Sequence, residues 1–243
     1  MTSRKRADVL LVERHLFESR AQAQAAIAAG LVMADGAVVG KASERLASEA
    51  QLVAQPAHPW VSRGGVKLAA ALDRFGFDPR GCVCLDVGAS TGGFTQVLLA
   101  RGAAHVTAVD VGSGQLHASL RADRRVTSLE QTDVRTLAAA ALSAPAEVIA
   151  IDVSFISLKQ VLPTATALAA PAAALVALIK PQFEAGRAAL KKGIVRDPAV
   201  HAAVCDDIAR HVEALGWRVC GVMPSPIHGG DGNAEFLIGA RRG

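Results

Sequence analysis

Short apolar runs that alternate with helical stretches constrain the fold of this chain more than any other feature. The runs cover residues 82–87, 105–111, 125–134, 147–157, 174–183, 217–226 and 234–242. Helical stretches lie between or beside them at 66–75, 93–101, 158–169 and 198–215. Several runs are almost continuously apolar, which is typical of parallel strands covered on both faces. The alternation predicts an α/β fold, an open and mostly parallel sheet with helices on both faces.

The first 57 residues follow a different pattern, which predicts a small α+β domain. Ser19 stands at the N-cap position of a predicted helix, and Gly30 stands where that helix should end. An Asp-Gly pair at 35–36 lies between two β-prone runs and predicts a hairpin. Residues 41–53 supply one or two further strands. We expect a linker at 58–62 and a second domain at 63–243.

Charge and composition exclude several classes of protein. The chain has 26 Lys and Arg against 22 Asp and Glu, a net charge of +4 that permits a nucleic-acid partner without requiring one. Its 4 cysteines form no CxxC pair and its 7 histidines no i, i+4 pair, so no metal site is predicted. The longest apolar stretch is interrupted by Pro171 and is too short for a membrane span, and no signal peptide is evident. These features predict a cytoplasmic protein.

A Gly-rich segment, "LDVGASTGGFTQVLL" at 85–99, joins the first predicted strand of the sheet to its first helix. Glycines at such a turn let the backbone approach a ligand, and the helix N-terminus presents unpaired N–H groups. Asp110 ends the next strand, 22 residues after Gly88, a spacing at which a carboxylate reaches ribose hydroxyls. Asp133 follows the third strand. The pattern predicts a nucleoside cofactor; Ser90 replaces the second glycine of the dinucleotide motif, which disfavours a nicotinamide dehydrogenase.

Two sequence patterns resemble known modules. The N-terminal pattern S-R-x-x-A-x-x-x-I-x-x-G-x-V, followed by D-G, resembles an S4 domain, a small RNA-binding module. Its Lys and Arg residues are Arg4, Lys5, Arg6, Arg14, Arg20, Lys41 and Arg45. The resemblance implies contacts with RNA phosphates. The candidates for those contacts are Arg4, Arg6, Arg20 and Lys41, with Arg63 added from the start of the second domain.

The Gly-rich segment contains D-x-G-x-S-x-G-G-F, which resembles the S-adenosylmethionine loop of class I methyltransferases. The resemblance implies that cofactor, with Asp133 near the adenine amine. The predicted cofactor-binding residues are Asp86, Gly88, Ala89, Ser90, Thr91, Gly92, Gly93, Phe94, Asp110, Val111, Asp133 and Val134.

Charged residues also stand at the ends of the later apolar runs, where open α/β sheets place their sites. They are Asp152, Lys180 and Glu235, and Lys67 follows a Gly-Gly pair earlier in the chain. A charge after an apolar run often marks only the emergence of a strand into solvent. Taken in order, however, the four residues resemble the Lys-Asp-Lys-Glu tetrad of FtsJ-like ribose 2′-O-methyltransferases.

The tetrad suits methyl transfer to a hydroxyl, which must be aligned with the methyl group and must lose a proton. A neutral lysine can take that proton, although the ordinary lysine pKa is about 10.4; burial beside a second cation would lower it. We expect Lys180 to be the base or the group that orients the nucleophile, with Lys67 as the neighbouring cation. Asp152 and Glu235 would hold the lysines and the ribose. Glu184, in "KPQFE", is a competing carboxylate.

Together the two modules resemble the TlyA family of haemolysin-like ribosomal RNA methyltransferases. The resemblance implies methyl transfer to the 2′-hydroxyl of a cytidine in 23S and, in some members, 16S ribosomal RNA. The chain ends soon after its last strand, which favours the large subunit alone. The alternatives are a non-catalytic RNA-binding factor and a membrane-active haemolysin. The sequence identifies neither the modified nucleotide nor the oligomeric state.

Overall fold

The computed structural model describes residues 3–186, 189–229 and 232–243. The chain divides into two compact units, Met1–Pro59 and Trp60–Gly243. The predicted linker, residues 58–62, spans this division. The domain bounds of 1–57 and 63–243 stay our proposal.

Among the described residues of the N-terminal unit, two helices and five short strands form the predicted α+β arrangement. They are β1 (Arg4–Arg6), α1 (Ala7–Glu13), α2 (Arg20–Ala28), β2 (Val32–Ala34), β3 (Ala37–Val38), β4 (Arg45–Ala47) and β5 (Leu52–Ala54). Strands β1 and β4 pair antiparallel, and β2 lies between β3 and β5 in a second antiparallel sheet. The expectation of a hairpin followed by further strands is confirmed.

Local chemistry explains the ends of these elements. The Ser19 hydroxyl accepts a hydrogen bond from the Gln22 N–H at 3.3 Å and caps α2. Gly30 has φ 71°, the left-handed conformation that terminates a helix. Both predictions are confirmed. Leu10, Leu11 and Ile27 are buried and hold the helices on one small core.

The second unit contains a seven-stranded sheet in the order β11-β12-β10-β9-β6-β7-β8. Its strands are β6 (Val83–Val87), β7 (His105–Val109), β8 (Val126–Leu129), β9 (Ala146–Ile151), β10 (Ala169–Ile179), β11 (Arg218–Pro224) and β12 (Phe236–Arg242). Its helices are α3 (Gly64–Phe75), α4 (Gly93–Ala100), α5 (Ala118–Arg121), α6 (Leu158–Ala167), α7 (Pro181–Glu184) and α8 (Pro198–Ala214). From β8 to β10 the sheet is parallel, whereas β12 runs antiparallel to both of its neighbours.

Both faces of this sheet are buried, which confirms the predicted α/β fold. Along β9, Ile149 and Ile151 belong to one hydrophobic cluster, whereas Val148 and Ala150 belong to another. Residues of α6 and α8 complete the first cluster, and residues of α3 and α4 complete the second. Successive side chains of a strand point to opposite faces, so each face has its own pair of helices.

Several predicted bounds were wrong. Strand β8 ends at Leu129 rather than residue 134, and β10 begins at Ala169 rather than residue 174. A strand running through Pro171 was not predicted. The proline is tolerated because the register with β9 shifts between Ala169 and Ala174, an irregularity at which the sheet needs no N–H from Pro171.

The predicted start of the first helix in this unit was also late. Helix α3 begins at Gly64, so the Gly-Gly pair forms its first turn. A Cβ at Gly65 would collide with the ring of Trp60, which packs against the second cluster. Glycine at this position therefore allows the ring to lie on the helix.

Candidate active site

A cavity of about 520 Å³ lies at the carboxyl ends of β6, β7 and β9. Open parallel sheets bind ligands at this edge. Its walls include six of the predicted cofactor-binding residues: Gly88, Ser90, Asp110, Val111, Asp133 and Val134. Asp152 from the predicted tetrad also lines the cavity.

The turn after β6 needs glycine at its first position. Gly88 has φ 82°, and a Cβ there would collide with the carbonyl oxygen of Asp152. The carboxylate of Asp110 braces the same turn, accepting hydrogen bonds from the N–H of Ser90 at 2.8 Å and of Gly112 at 2.7 Å. One wall of the cavity is therefore formed by three segments: the backbone after β6, the end of β7 and the start of the segment after β9.

The other predicted cofactor residues do not line this cavity: Asp86, Ala89, Thr91, Gly92, Gly93 and Phe94. Phe94 is buried in the hydrophobic cluster beneath α4. Asp86 is fully buried at the end of β6 and accepts a hydrogen bond from the Thr95 hydroxyl at 2.6 Å. Burial raises the pKa of Asp86 to about 7. The contacts of these two residues connect the turn to the core beneath it.

Asp133 has a partner that the sequence did not reveal. The guanidinium of Arg135 donates hydrogen bonds to both oxygens of the Asp133 carboxylate, the shortest at 2.6 Å, and Arg135 also lines the cavity. These bonds hold the pKa of Asp133 below its usual value. Asp133 is thus an ionised acceptor at the cavity wall.

The tetrad forms two ion pairs. Lys180 Nζ lies 2.6 Å from Asp152 Oδ1, and it also donates a hydrogen bond to the Ser154 hydroxyl at 2.8 Å. Lys67 Nζ donates to Glu235 Oε2 at 2.5 Å, and both side chains are more than nine-tenths buried. Each lysine of the predicted tetrad is therefore paired with one of its two carboxylates.

Sheet topology explains why these residues converge. Asp152 follows the last residue of β9 and Lys180 follows the last residue of β10, which is parallel to β9. Glu235 precedes the first residue of β12, which is antiparallel to β10, with Phe236 opposite Ile179. The carboxyl end of β10 and the amino end of β12 therefore share one edge of the sheet.

Glu184, the competing carboxylate, has a different role. Its carboxylate accepts hydrogen bonds from the Ser157 hydroxyl at 2.5 Å and from the Leu158 N–H at 2.8 Å. These contacts lie at the N-terminus of α6, where a carboxylate is favourable to the helix dipole. Of the two candidates, Glu235 is the carboxylate paired with a tetrad lysine.

An exposed aromatic residue that was not predicted as a site residue lies at the rim of the cavity. Phe155 is 90% exposed and has φ 64°, a conformation that a bulky side chain rarely adopts. Its ring lies 5.0 Å from that of Phe183. Within "DVSFIS" it reads as one more apolar strand residue, so no sequence signal distinguished it.

The described residues contain no group of three His, Cys, Asp or Glu side chains that could hold a metal ion. Across the same part of the chain, the structure has no helix long and apolar enough to cross a membrane.

In the N-terminal unit, two of the predicted RNA contacts share a buried carboxylate. Asp8 is fully buried and accepts hydrogen bonds from Arg6 at 3.0 Å, Arg20 at 2.7 Å and Gln24 at 2.8 Å. The hydrogen bond from Arg6, followed by that from Arg20, holds the pKa of Asp8 well below its usual range. The arginine side chains stay 43% and 56% exposed, so Asp8 orients them without covering them.

The other predicted RNA contacts are at the surface. Arg4 is exposed and donates to the carbonyl of Arg45 at 2.9 Å, and Lys41 is exposed. Arg63, in the second unit, is exposed directly before α3.

Asp8→Asn is expected to destabilise the N-terminal unit by about 2 kcal/mol at neutral pH, because two arginines lose their ionised partner. The pKa of Asp8 is lowered by folding, so its contribution is fully present above its ordinary value and is lost as the pH falls below that value. Urea unfolding of both proteins as a function of pH should show their difference shrinking in acid.

Glu13→Gln is the matched control, because the ion pair of Glu13 with Lys5 is exposed on both sides. Its effect should stay below about 0.5 kcal/mol. Equal unfolding of Asp8→Asn and the native protein at neutral pH would contradict the structural role of Asp8.

The seven-stranded sheet, in which β7 and β9 flank β6 and the cavity lies at the carboxyl ends of these three strands, has the class I methyltransferase fold. A family model described as FtsJ-like methyltransferase matches residues 60–242, and an S4 domain model matches residues 5–52. The chain belongs to the TlyA family, in which an S4 domain precedes an FtsJ-like methyltransferase domain.

Individual relatives agree with this membership. The 16S/23S rRNA (cytidine-2′-O)-methyltransferase TlyA of Mycobacterium tuberculosis is 45% identical over 99% of this chain and 91% of its own length. Hemolysin A of Brachyspira hyodysenteriae is 37% identical over 90% of this chain and 92% of its own length. A solved structure from Streptococcus thermophilus that carries a hemolysin name is 40% identical, with a TM-score of 0.79 over 100% of this chain and 90% of its own.

Proposed function

We propose that this protein transfers a methyl group from S-adenosylmethionine to the ribose 2′-hydroxyl of a cytidine in ribosomal RNA. The observation that carries the proposal is the pair of lysine–carboxylate ion pairs at the edge of the sheet that holds the cavity. A related protein from Mycobacterium tuberculosis is named for this activity on 16S and 23S rRNA, and one from Campylobacter jejuni for 23S rRNA. We propose 23S ribosomal RNA as substrate, with 16S as a second candidate. Such a substrate places the reaction in the cytoplasm.

The cavity has features that suit the cofactor. Gly88 lets the turn after β6 pack directly against the backbone of Asp152, and both residues line the cavity. Asp110 would accept hydrogen bonds from the ribose hydroxyls, because each of its oxygens keeps a lone pair beyond the bond to backbone N–H. Asp133 would accept from the adenine amine. We keep the remaining loop residues, Asp86 among them, as residues that support the turn.

When bound, the cofactor supplies a methyl group already activated by its sulfonium. The chain must then orient the 2′-hydroxyl and deal with its proton. We assign the first contact with the hydroxyl to Lys180, whose position Asp152 and Ser154 fix from two sides. As an ammonium it orients the oxygen, and as a neutral amine it accepts the proton. The Lys67–Glu235 pair would hold the ribose from the neighbouring strand.

The rim residue Phe155 suits an RNA substrate. Enzymes that act on a nucleotide within folded RNA hold the base outside its stack, and aromatic rings supply a surface for it. An exposed ring on the segment that also carries Asp152 and Ser154 provides such a surface beside the reacting group.

Glu235→Gln is expected to lower the rate constant for methyl transfer by about 100-fold, because Lys67 loses its charged partner. Glu184→Gln should keep the rate within about threefold and instead lower stability by about 1 kcal/mol, because it weakens the contacts at the start of α6. Single-turnover transfer and urea unfolding measure the two effects. Equal loss of activity in both variants would contradict the distinction between the two carboxylates.

The proposed function is tested by incubating the full chain with labelled S-adenosylmethionine and 50S or 30S subunits that lack the modification. We expect label at the 2′-oxygen of one or more cytidines, located by mapping ribose methylation in both rRNAs. Label on a base, or RNA binding without any transfer, would overturn the proposal. Leakage of liposomes at low protein concentration would instead support the haemolysin alternative.

A further inference from the structure

The segment that follows Asp110 forms one wall of the cavity. Its sequence is "VGSGQLH", residues 111–117, and Gly112 and Gln115 line the cavity directly. The Ser90 hydroxyl donates a hydrogen bond to the Gln115 side-chain oxygen at 3.0 Å. The segment, which we call the Gln115 loop, therefore connects the cavity to the turn after β6.

The carboxylate of Glu130, directly after β8, binds the backbone of this loop. One oxygen accepts from the Gly114 N–H at 2.8 Å. The other accepts from the N–H of Gln115 at 2.7 Å and of Leu116 at 3.0 Å. Three successive N–H groups thus surround one side chain, an arrangement that favours an anion. The bonds from the amides of Leu116 and Gly114 hold the pKa of Glu130 below its usual value.

Other contacts anchor the two ends of the loop: the Gly112 N–H donates to Asp110 at 2.7 Å, Arg121 donates to the Leu116 carbonyl at 2.8 Å, and the His117 N–H donates to the Thr91 carbonyl at 3.2 Å. Leu116 is buried and packs closely against Gly92, where an added Cβ would lie only 2.8 Å from the Leu116 side chain. The Gln131 N–H donates to the Gly112 carbonyl at 2.8 Å. Gly114 has φ 66°, a left-handed backbone conformation that glycine adopts more easily than other residues. With Leu116 anchored in the core, Glu130 fixes the backbone between that anchor and the cavity.

We propose that Glu130 is a positioning residue for the cofactor, because its carboxylate holds the Gln115 loop in the shape that lines the cavity. It does not line the cavity itself and acts through Gly114, Gln115 and Leu116. The inference rests on the proposed function, which supplies S-adenosylmethionine as the cofactor. An amide in place of the carboxylate would keep one acceptor oxygen and point an NH₂ group at N–H donors.

Glu130→Gln is expected to weaken S-adenosylmethionine binding by about tenfold and to leave the rate constant at saturating cofactor within about twofold of the native value. Calorimetry measures the first quantity, and single-turnover transfer measures the second. Hydrogen exchange gives a readout that does not depend on activity: the amides of Gly114, Gln115 and Leu116 should exchange at least about tenfold faster in the variant.

Glu213→Gln is the matched control, a neutral replacement of an exposed carboxylate on α8, and it should match the native protein in all three measurements. Unchanged cofactor affinity in Glu130→Gln, or equal losses in affinity and rate constant, would overturn the inference. Unchanged exchange at the three amides would also overturn it. Failure of the native protein to bind S-adenosylmethionine would instead reject the proposed function, so the two failures are distinguishable.

Discussion

Replacing Lys180 by alanine is expected to lower the rate constant for methyl transfer by about 10²- to 10⁴-fold, the usual contribution of a positioned acid–base group. Cofactor affinity should change by less than about twofold, because Lys180 does not line the cavity and contacts Asp152 and Ser154. Single-turnover transfer to ribosomal subunits and calorimetry with S-adenosylmethionine measure the two quantities. An active Lys180→Ala enzyme would remove Lys180 from the reaction.

The alanine variant leaves the carboxylate of Asp152 without its cation, which could disturb the segment after β9. The double variant Lys180→Ala with Asp152→Asn removes that unpaired charge and should be equally inactive. Lys191→Ala is the matched control, because this lysine is exposed. If the double variant regained activity, the loss would belong to the unpaired charge rather than to the missing amine.

Asp110→Ala is expected to act mainly on cofactor binding, weakening the affinity for S-adenosylmethionine by about 100-fold. The variant loses the proposed ribose contact and the brace between Ser90 and Gly112. A hydrogen bond to a charged group contributes about 1.5–3 kcal/mol, and about 1.4 kcal/mol corresponds to tenfold in affinity. Calorimetry measures the affinity, and transfer at saturating cofactor should recover most of the native rate.

Asp206→Ala provides the control for this second prediction, because Asp206 is an exposed carboxylate on α8. Its affinity for the cofactor should equal that of the native protein. An Asp110→Ala variant with native affinity would remove Asp110 from the cofactor site, whatever its rate of transfer.

Sequence reasoning predicted the sheet and the edge at which the site lies. Asp152 and Lys180 each follow an apolar run, and the carboxyl ends of parallel strands share an edge, so their convergence was predictable. The partner of each lysine was not predictable. Pairing depends on the order of strands in the sheet and on the antiparallel direction of β12, which places Glu235 beside Lys67.

Other features depend on contacts between residues distant in sequence. Glu184 was a competing carboxylate in the sequence, and its hydrogen bonds from Ser157 and Leu158 place it instead at the start of a helix. In the N-terminal unit, Arg6 and Arg20 were predicted as RNA contacts without a protein partner, because nothing in the sequence identifies Asp8 as buried. The positive φ of Phe155 could not be predicted either, because a bulky side chain rarely adopts that conformation.

The Lys67–Glu235 pair joins residues that are 168 positions apart, and the second of them precedes the final strand. During translation, the cofactor cavity and the Asp152–Lys180 pair are complete in sequence well before Glu235 is synthesised. A nascent chain therefore lacks one of the two tetrad ion pairs until β12 inserts between β10 and β11. The proposed tetrad is thus completed by the pairing of β12 into the sheet, and not by the folding of the cavity segments alone.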